Sequence, residues 1–111
     1  NHYTPNSNCV LVYSKDNKKM VDEINKISSK YSKPCILSTH ENLSFYSGNT
    51  VIDIGSKSNL NEIARNIFSC LKKADSFSPD IVIIEGVEQS GIGAAIMNRL
   101  LKACKENYVE I

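Results

Sequence analysis

Glu85-Gly86 and then Gly91-Ile92-Gly93 follow directly on the apolar run Ile81-Val82-Ile83-Ile84 and open a segment of helical period. Glycines at such a junction let backbone amides and the positive end of a helix dipole approach an anion. The turn is therefore a candidate ligand-binding or domain-docking site, together with Asn98 and Arg99 further along the same segment. Two phosphate-binding patterns fail here. A dinucleotide fingerprint needs Gly or Ala where Ile96 stands. The Gly86-to-Gly91 spacing imitates a phosphate loop, but Ile92 stands in place of its lysine and no Ser or Thr comes next, which removes both the charge and the metal ligand. The same glycines serve equally well to pack a helix tightly on a sheet without any ligand.

Other reactive residue types are scattered. His2 and His40 have no Cys, Asp or Glu at a spacing that makes a metal or catalytic pair, and His40 reads as a loop residue. Ser90 lacks a nucleophile elbow and any downstream histidine. Cys9, Cys35, Cys70 and Cys104 are too far apart in sequence for a zinc or redox motif and read as reduced core residues, the first two opening strands and the others within helices. No catalytic residue and no metal site is expected. Arg65, Asn66, Asn98 and Arg99 interrupt apolar helical patterns, which implies solvent exposure, an internal pair such as Glu62 with Arg65, or a face turned to another domain.

Charge narrows the partners. A formal charge of +1, with 41% hydrophobic and 23% charged residues, gives no broad field for nucleic acid or membrane. The doublets Lys18-Lys19 and Lys72-Lys73 fall on the solvated sides of helices. No stretch is apolar and long enough to span a bilayer, and a cytoplasmic location is expected. Residues 1–8 are polar, begin with Asn1 and read as the end of a linker excised from a longer chain, leaving residues 9–111 as one domain.

Positioning falls to an alternation of strands and helices. Cys9 to Tyr13, Cys35 to Leu37, Val51 to Ile54 and Ile81 to Ile84 are short apolar runs, and Tyr108 to Ile111 can add an edge strand. Helical spacing marks Met20, Ile24, Ile27 and Tyr31, then Leu60, Ile63, Ile67, Leu71 and Ala74 behind the capping turn Gly55 to Asn59, then Ile96, Leu100 and Cys104 within residues 91–105. A short helix or loop must cross over between residues 39 and 49. The order implies a Rossmann-like three-layer α/β sandwich, with a mostly parallel sheet of about five strands and helices on both faces.

Three segments in matching order resemble one family. Glu85-Gly86 leading to Gly91-Ile92-Gly93-Ala94-Ala95-Ile96-Met97-Asn98-Arg99-Leu100 is similar to the signature helix of the C-terminal accessory domain of two-domain threonylcarbamoyl-AMP synthases. Gly55-Ser56 with Leu60 and Ala64-Arg65-Asn66-Ile67-Phe68 resembles a second motif of that domain, and His2-Tyr3-Thr4-Pro5 resembles the His-Tyr-x-Pro end of its linker, with Thr4 in place of the commoner alanine. The resemblance implies a parent enzyme that condenses L-threonine, bicarbonate and ATP, with Mg, into threonylcarbamoyl-adenylate and pyrophosphate, towards threonylcarbamoyladenosine in transfer RNA. It implies a YrdC-like catalytic domain as the partner in cis, a linker whose His2, Tyr3 and Pro5 gate the catalytic cleft, and no cofactor or catalytic activity in the present piece alone. A free-standing nucleotide-binding module at the Gly86 to Gly93 turn is the alternative.

Overall fold

Alternating side-chain direction along strands buried on both faces decides the layering. A computed structural model describes residues 3–111 as five strands and four helical elements: β1 (Cys9–Tyr13), α1 (Asn17–Ser28), β2 (Pro34–Thr39), a 3-10 helix η1 (His40–Tyr46), β3 (Thr50–Gly55), α2 (Leu60–Asp75), β4 (Ile81–Glu85), α3 (Ile92–Ala103) and β5 (Tyr108–Glu110). Successive strand side chains point to opposite faces. Leu11, Leu37, Ile54, Val82 and Ile84 accordingly meet Ile63, Ile67 and Leu71 of α2 and Ile96, Met97 and Leu100 of α3 on one face. Val10, Val12, Ile36, Ile81 and Ile83 meet Met20, Val21 and Ile24 of α1 and Tyr46 of η1 on the other. The three expected layers form, with a fully parallel sheet.

The strand order is β3-β2-β4-β1-β5. β1 and β2 are parallel, as the strand-helix-strand pattern requires, yet they are not neighbours, because β4 lies between them and pairs with both. Burial explains the choice. All five residues of β4 are buried, and a strand with no polar face belongs in the middle of a covered sheet. β3, with Asp53 exposed within it, and the three-residue β5 take the two edges.

Local chemistry sets the helix ends. Asp16 caps α1 by accepting from the amides of Lys18 and Lys19 at 3.0 and 3.3 Å, and Asn59 caps α2 by accepting from the Glu62 amide at 3.2 Å. Helix α1 stops at Ser28, so Tyr31 lies beyond it and is exposed rather than continuing the apolar stripe. Helix α3 stops at Ala103, leaving Cys104 as its cap residue, and the chain leaves through left-handed Lys105 and Glu106. All four cysteines are buried and free. Burial pushes the Cys35 thiol up to about 11, far from the thiolate that redox or metal chemistry uses. Among the described residues no helix is long and apolar enough to cross a membrane.

Candidate functional site

The carboxyl ends of β1, β2 and β4 meet where the chain changes face. From β2 it leaves through η1 towards one edge, and from β4 it leaves through α3 towards the other, over the opposite face of the sheet. Such a switch point opens a crevice at the carboxyl edge of a parallel sheet. Here it is a cavity of about 240 Å³ whose lining includes Tyr13, Lys15, Met20, Lys57, Leu60 and Glu88.

Beneath it lies a buried carboxylate. Glu85 ends β4 with no exposed surface. Its Oε1 accepts from the Thr39 amide at 2.9 Å and the Thr39 hydroxyl at 2.7 Å, and its Oε2 accepts from Asn42 Nδ2 at 3.0 Å and from the Tyr46 hydroxyl. Ser38 Oγ lies 3.3 Å away and shares its proton with the Thr39 carbonyl. No ion pair reaches Glu85 among the described residues, and oriented neutral donors satisfy its oxygens. Burial and the neighbouring Glu85 push the Tyr46 phenol well above its usual range, keeping it a donor. Asn42 also exchanges two 2.9 Å amide bonds with Asn17, the first residue of α1. Glu85 therefore ties η1 and α1 to the sheet under the crevice. Sequence reading placed it on the Gly86 to Gly93 turn, but its side chain is sealed inside.

The glycines of that turn have steric reasons. A Cβ on Gly93 would stand 1.9 Å from the Glu88 carbonyl oxygen, and one on Gly86 would stand 3.0 Å from the Met97 thioether and Tyr13 Cβ. Gly91 adopts φ 55°, which glycine alone accommodates without strain. Asn98 and Arg99 are exposed on α3, and the Arg99 guanidinium sits 6.0 Å from the centre of the Phe68 ring on α2.

The second motif builds the β3 to α2 turn. Gly55 has φ 120°, and Glu62 Oε1 accepts from the Ser56 amide at 3.0 Å. Glu62 is thus engaged by the turn and Arg65 is exposed, so of the alternatives for Arg65 solvent exposure holds and the Glu62 pair is absent among the described residues. The Ser56 hydroxyl accepts from the Ser58 amide at 3.1 Å and lies against the carboxylate of Glu41. Asn66 Nδ2 donates to the Ile54 carbonyl at 3.3 Å, pinning α2 to β3. Glu41 and Glu62 hold this turn; the sequence offered Glu62 only as a partner for Arg65 and gave Glu41 no role, because neither carries a motif of its own.

His40 is not an unpartnered loop residue. It opens η1, and its Nδ1 lies 2.7 Å from Asp53 Oδ2 on β3. That bond raises its pKa from the ordinary value. A raised folded pKa means the pair's stabilisation is complete below the unfolded value of about 6.5 and is lost as pH rises through the folded pKa. Proton NMR titration should show the His40 pKa falling in Asp53→Asn; an unchanged titration would show that the pair does not form in solution.

The lead segment lies on its own domain. The Tyr3 hydroxyl donates to the carboxylate of Asp75 at the end of α2, the Asn6 amide donates to the same group at 3.1 Å, and Lys72 Nζ stands 5.8 Å from the Tyr3 ring centre. Pro5 is buried, and the Asn8 carbonyl accepts from the Val82 amide at 2.7 Å, leading into β1. His2 lies outside the described residues. No group of three or more His, Cys, Asp or Glu among those described is placed to hold a metal, so no residue here is assigned to Mg.

Comparison with known proteins places this arrangement. Residues 1–104 match the family model for the C-terminal domain of threonylcarbamoyl-AMP synthase. The threonylcarbamoyl-AMP synthase of Pyrococcus abyssi is 32% identical over 116 residues, covering 99% of this chain and 32% of that protein. The crystal structure of P. abyssi Sua5 complexed with L-threonine superposes with a TM-score of 0.79 at 31% identity, over 99% of this chain and 32% of the other. The crystal structure of the C-terminal Sua5 domain from Pyrococcus horikoshii gives a TM-score of 0.71 at 27% identity, over 97% of this chain and all of that one. The chain spans about a third of the length of the curated P. abyssi relative. On the match of its motif-bearing turns and of nearly its whole length, the chain belongs to the family of threonylcarbamoyl-AMP synthase C-terminal domains.

Proposed function

We propose that this domain is the accessory, regulatory part of a threonylcarbamoyl-AMP synthase, acting in cis on a YrdC-like catalytic domain. That domain uses ATP to condense L-threonine and bicarbonate into threonylcarbamoyl-adenylate for transfer RNA modification in the cytoplasm. The observation that carries the reading is the match of residues 1–104 to the C-terminal domain of that enzyme. Two features of the chain support it. The motif turns are built by internal packing and hydrogen bonds, and the lead segment carries an aromatic hydroxyl and a buried proline that can position a strap running on to the preceding domain.

Asp75 and Lys72 hold Tyr3 at the root of this strap, so the domain sets where the strap leaves for the catalytic cleft, and through that placement His2, Tyr3 and Pro5 control access of nucleotide and release of product. Pyrophosphate release from ATP, with threonine and bicarbonate present, should occur in the two-domain protein and not in this chain alone. Tyr3→Ala in the two-domain protein should lower turnover about tenfold, roughly 1.4 kcal/mol of barrier. Threonine-dependent turnover by the present chain, or unchanged kinetics in the variant, would overturn the reading.

A further inference from the structure

We propose that the crevice at the carboxyl edge of the sheet is a nucleotide site in its own right, taking a nucleoside monophosphate. The location is where open α/β sheets bind ligands, outside the carboxyl ends of strands whose connections diverge. Residues following β1, β3 and β4 line it together with Thr39 at the end of β2, so four strands contribute to one depression.

Its lining divides by chemistry. Lys15 and Lys57 supply two ammonium groups, and neither is in an ion pair among the described residues. Lys15, together with Lys57 beside the Glu41 carboxylate, supplies the positive charge that favours a phosphate. Met20, Leu60, Val87 and Tyr13 supply apolar lining against which a base can lie. Glu88, the one carboxylate in the lining, opposes a simple anion but accepts hydrogen bonds from sugar hydroxyls. Glu41 is the other acid near Lys57, and its carboxylate is occupied by the Lys57 amide at 3.0 Å and by Ser56.

Size sets the class. About 240 Å³ falls below the roughly 300–1,000 Å³ of pockets that enclose a drug-sized ligand, so a mononucleotide seats with part of its surface in the open mouth, and a dinucleotide does not fit. The rigid floor supplied by the Glu85 network means that little ordering is needed on binding. The crevice shares Gly86, Val87 and Glu88 with the start of the glycine turn considered from sequence but not Gly91 or Gly93, where the Glu88 carbonyl fills the space beside Gly93.

The test is nitrogen–proton NMR of this chain titrated at low salt with AMP, adenosine and inorganic phosphate in turn. AMP should saturate with a dissociation constant below about 1 mM, shifting amides at residues 13–17, at Thr39, at Lys57 and at residues 86–88. The exposed double variant Lys15→Ala/Lys57→Ala, checked for folding by circular dichroism, should bind AMP about tenfold more weakly, the scale of two partly exposed charge contacts. No saturation by AMP below about 10 mM, equal binding of AMP and inorganic phosphate, equal binding of AMP and adenosine, shifts confined to residues outside the crevice, or undiminished affinity in the folded double variant would each overturn the proposal. None of these readouts involves the catalytic domain, so the strap reading stands or falls separately.

Discussion

Gly93→Ala should destabilise the domain by about 3 kcal/mol or more, measured as the loss of unfolding free energy in urea. In an exposed helical turn the same change would stabilise by roughly 1 kcal/mol, because alanine is the better helix former. The sign therefore separates the two accounts. The added Cβ would meet the Glu88 carbonyl oxygen at 1.9 Å, and that atom is backbone, unable to move without shifting the turn that joins β4 to α3. Gly91→Ala, at φ 55° and ψ −125° with open space around the new methyl, should cost about 1–3 kcal/mol of backbone strain, with no steric overlap added. A neutral or stabilising Gly93→Ala would show that the turn slides freely over α3 and would remove the steric account of this motif.

The second large effect concerns the buried carboxylate. Glu85→Ala leaves the Thr39 amide and hydroxyl, the Asn42 amide and the Tyr46 hydroxyl without their acceptor inside the protein. Each orphaned buried donor costs about 1–3 kcal/mol, so the sum threatens the whole stability of a domain this size, about 5–15 kcal/mol. At least about 3 kcal/mol should be lost after local relaxation and water entry. Glu85→Gln keeps the shape but turns an N–H₂ group toward donors, and should fall between wild type and alanine. Tyr46→Phe removes one donor and should cost about 1–2 kcal/mol. A loss below about 1 kcal/mol in Glu85→Ala would mean that the network is solvated in solution and does not fasten η1 to the sheet.

Local pattern carried most of the fold. Runs such as Ile81-Val82-Ile83-Ile84, apolar on both faces, announce a covered parallel sheet, and the spacing of Ile63, Ile67, Leu71 and Ala74 announces the helix that covers it. These signals depend on side chains a few residues apart, and they appear in the structure as five parallel strands between two helical layers. The three motif segments were likewise readable as local strings, which is why the family could be named from them.

What the string could not contain was the meeting of distant residues. The place of β4 between β2 and β1 follows from competition among all five strands for the most buried position. His40 finds Asp53, Glu85 finds Asn42 and Tyr46, and Ser56 finds Glu41 only when the sheet brings their elements together. Lys15 and Lys57 share a crevice for the same reason, and no spacing in the sequence connects them. The sequence alone determined the elements, the covered sheet and the family, because those depend on short-range period and on motif strings. Tertiary structure alone decided that Gly93 is held by sterics, that Glu85 is a sealed anchor and that the open site lies beside it, because those depend on distances through space.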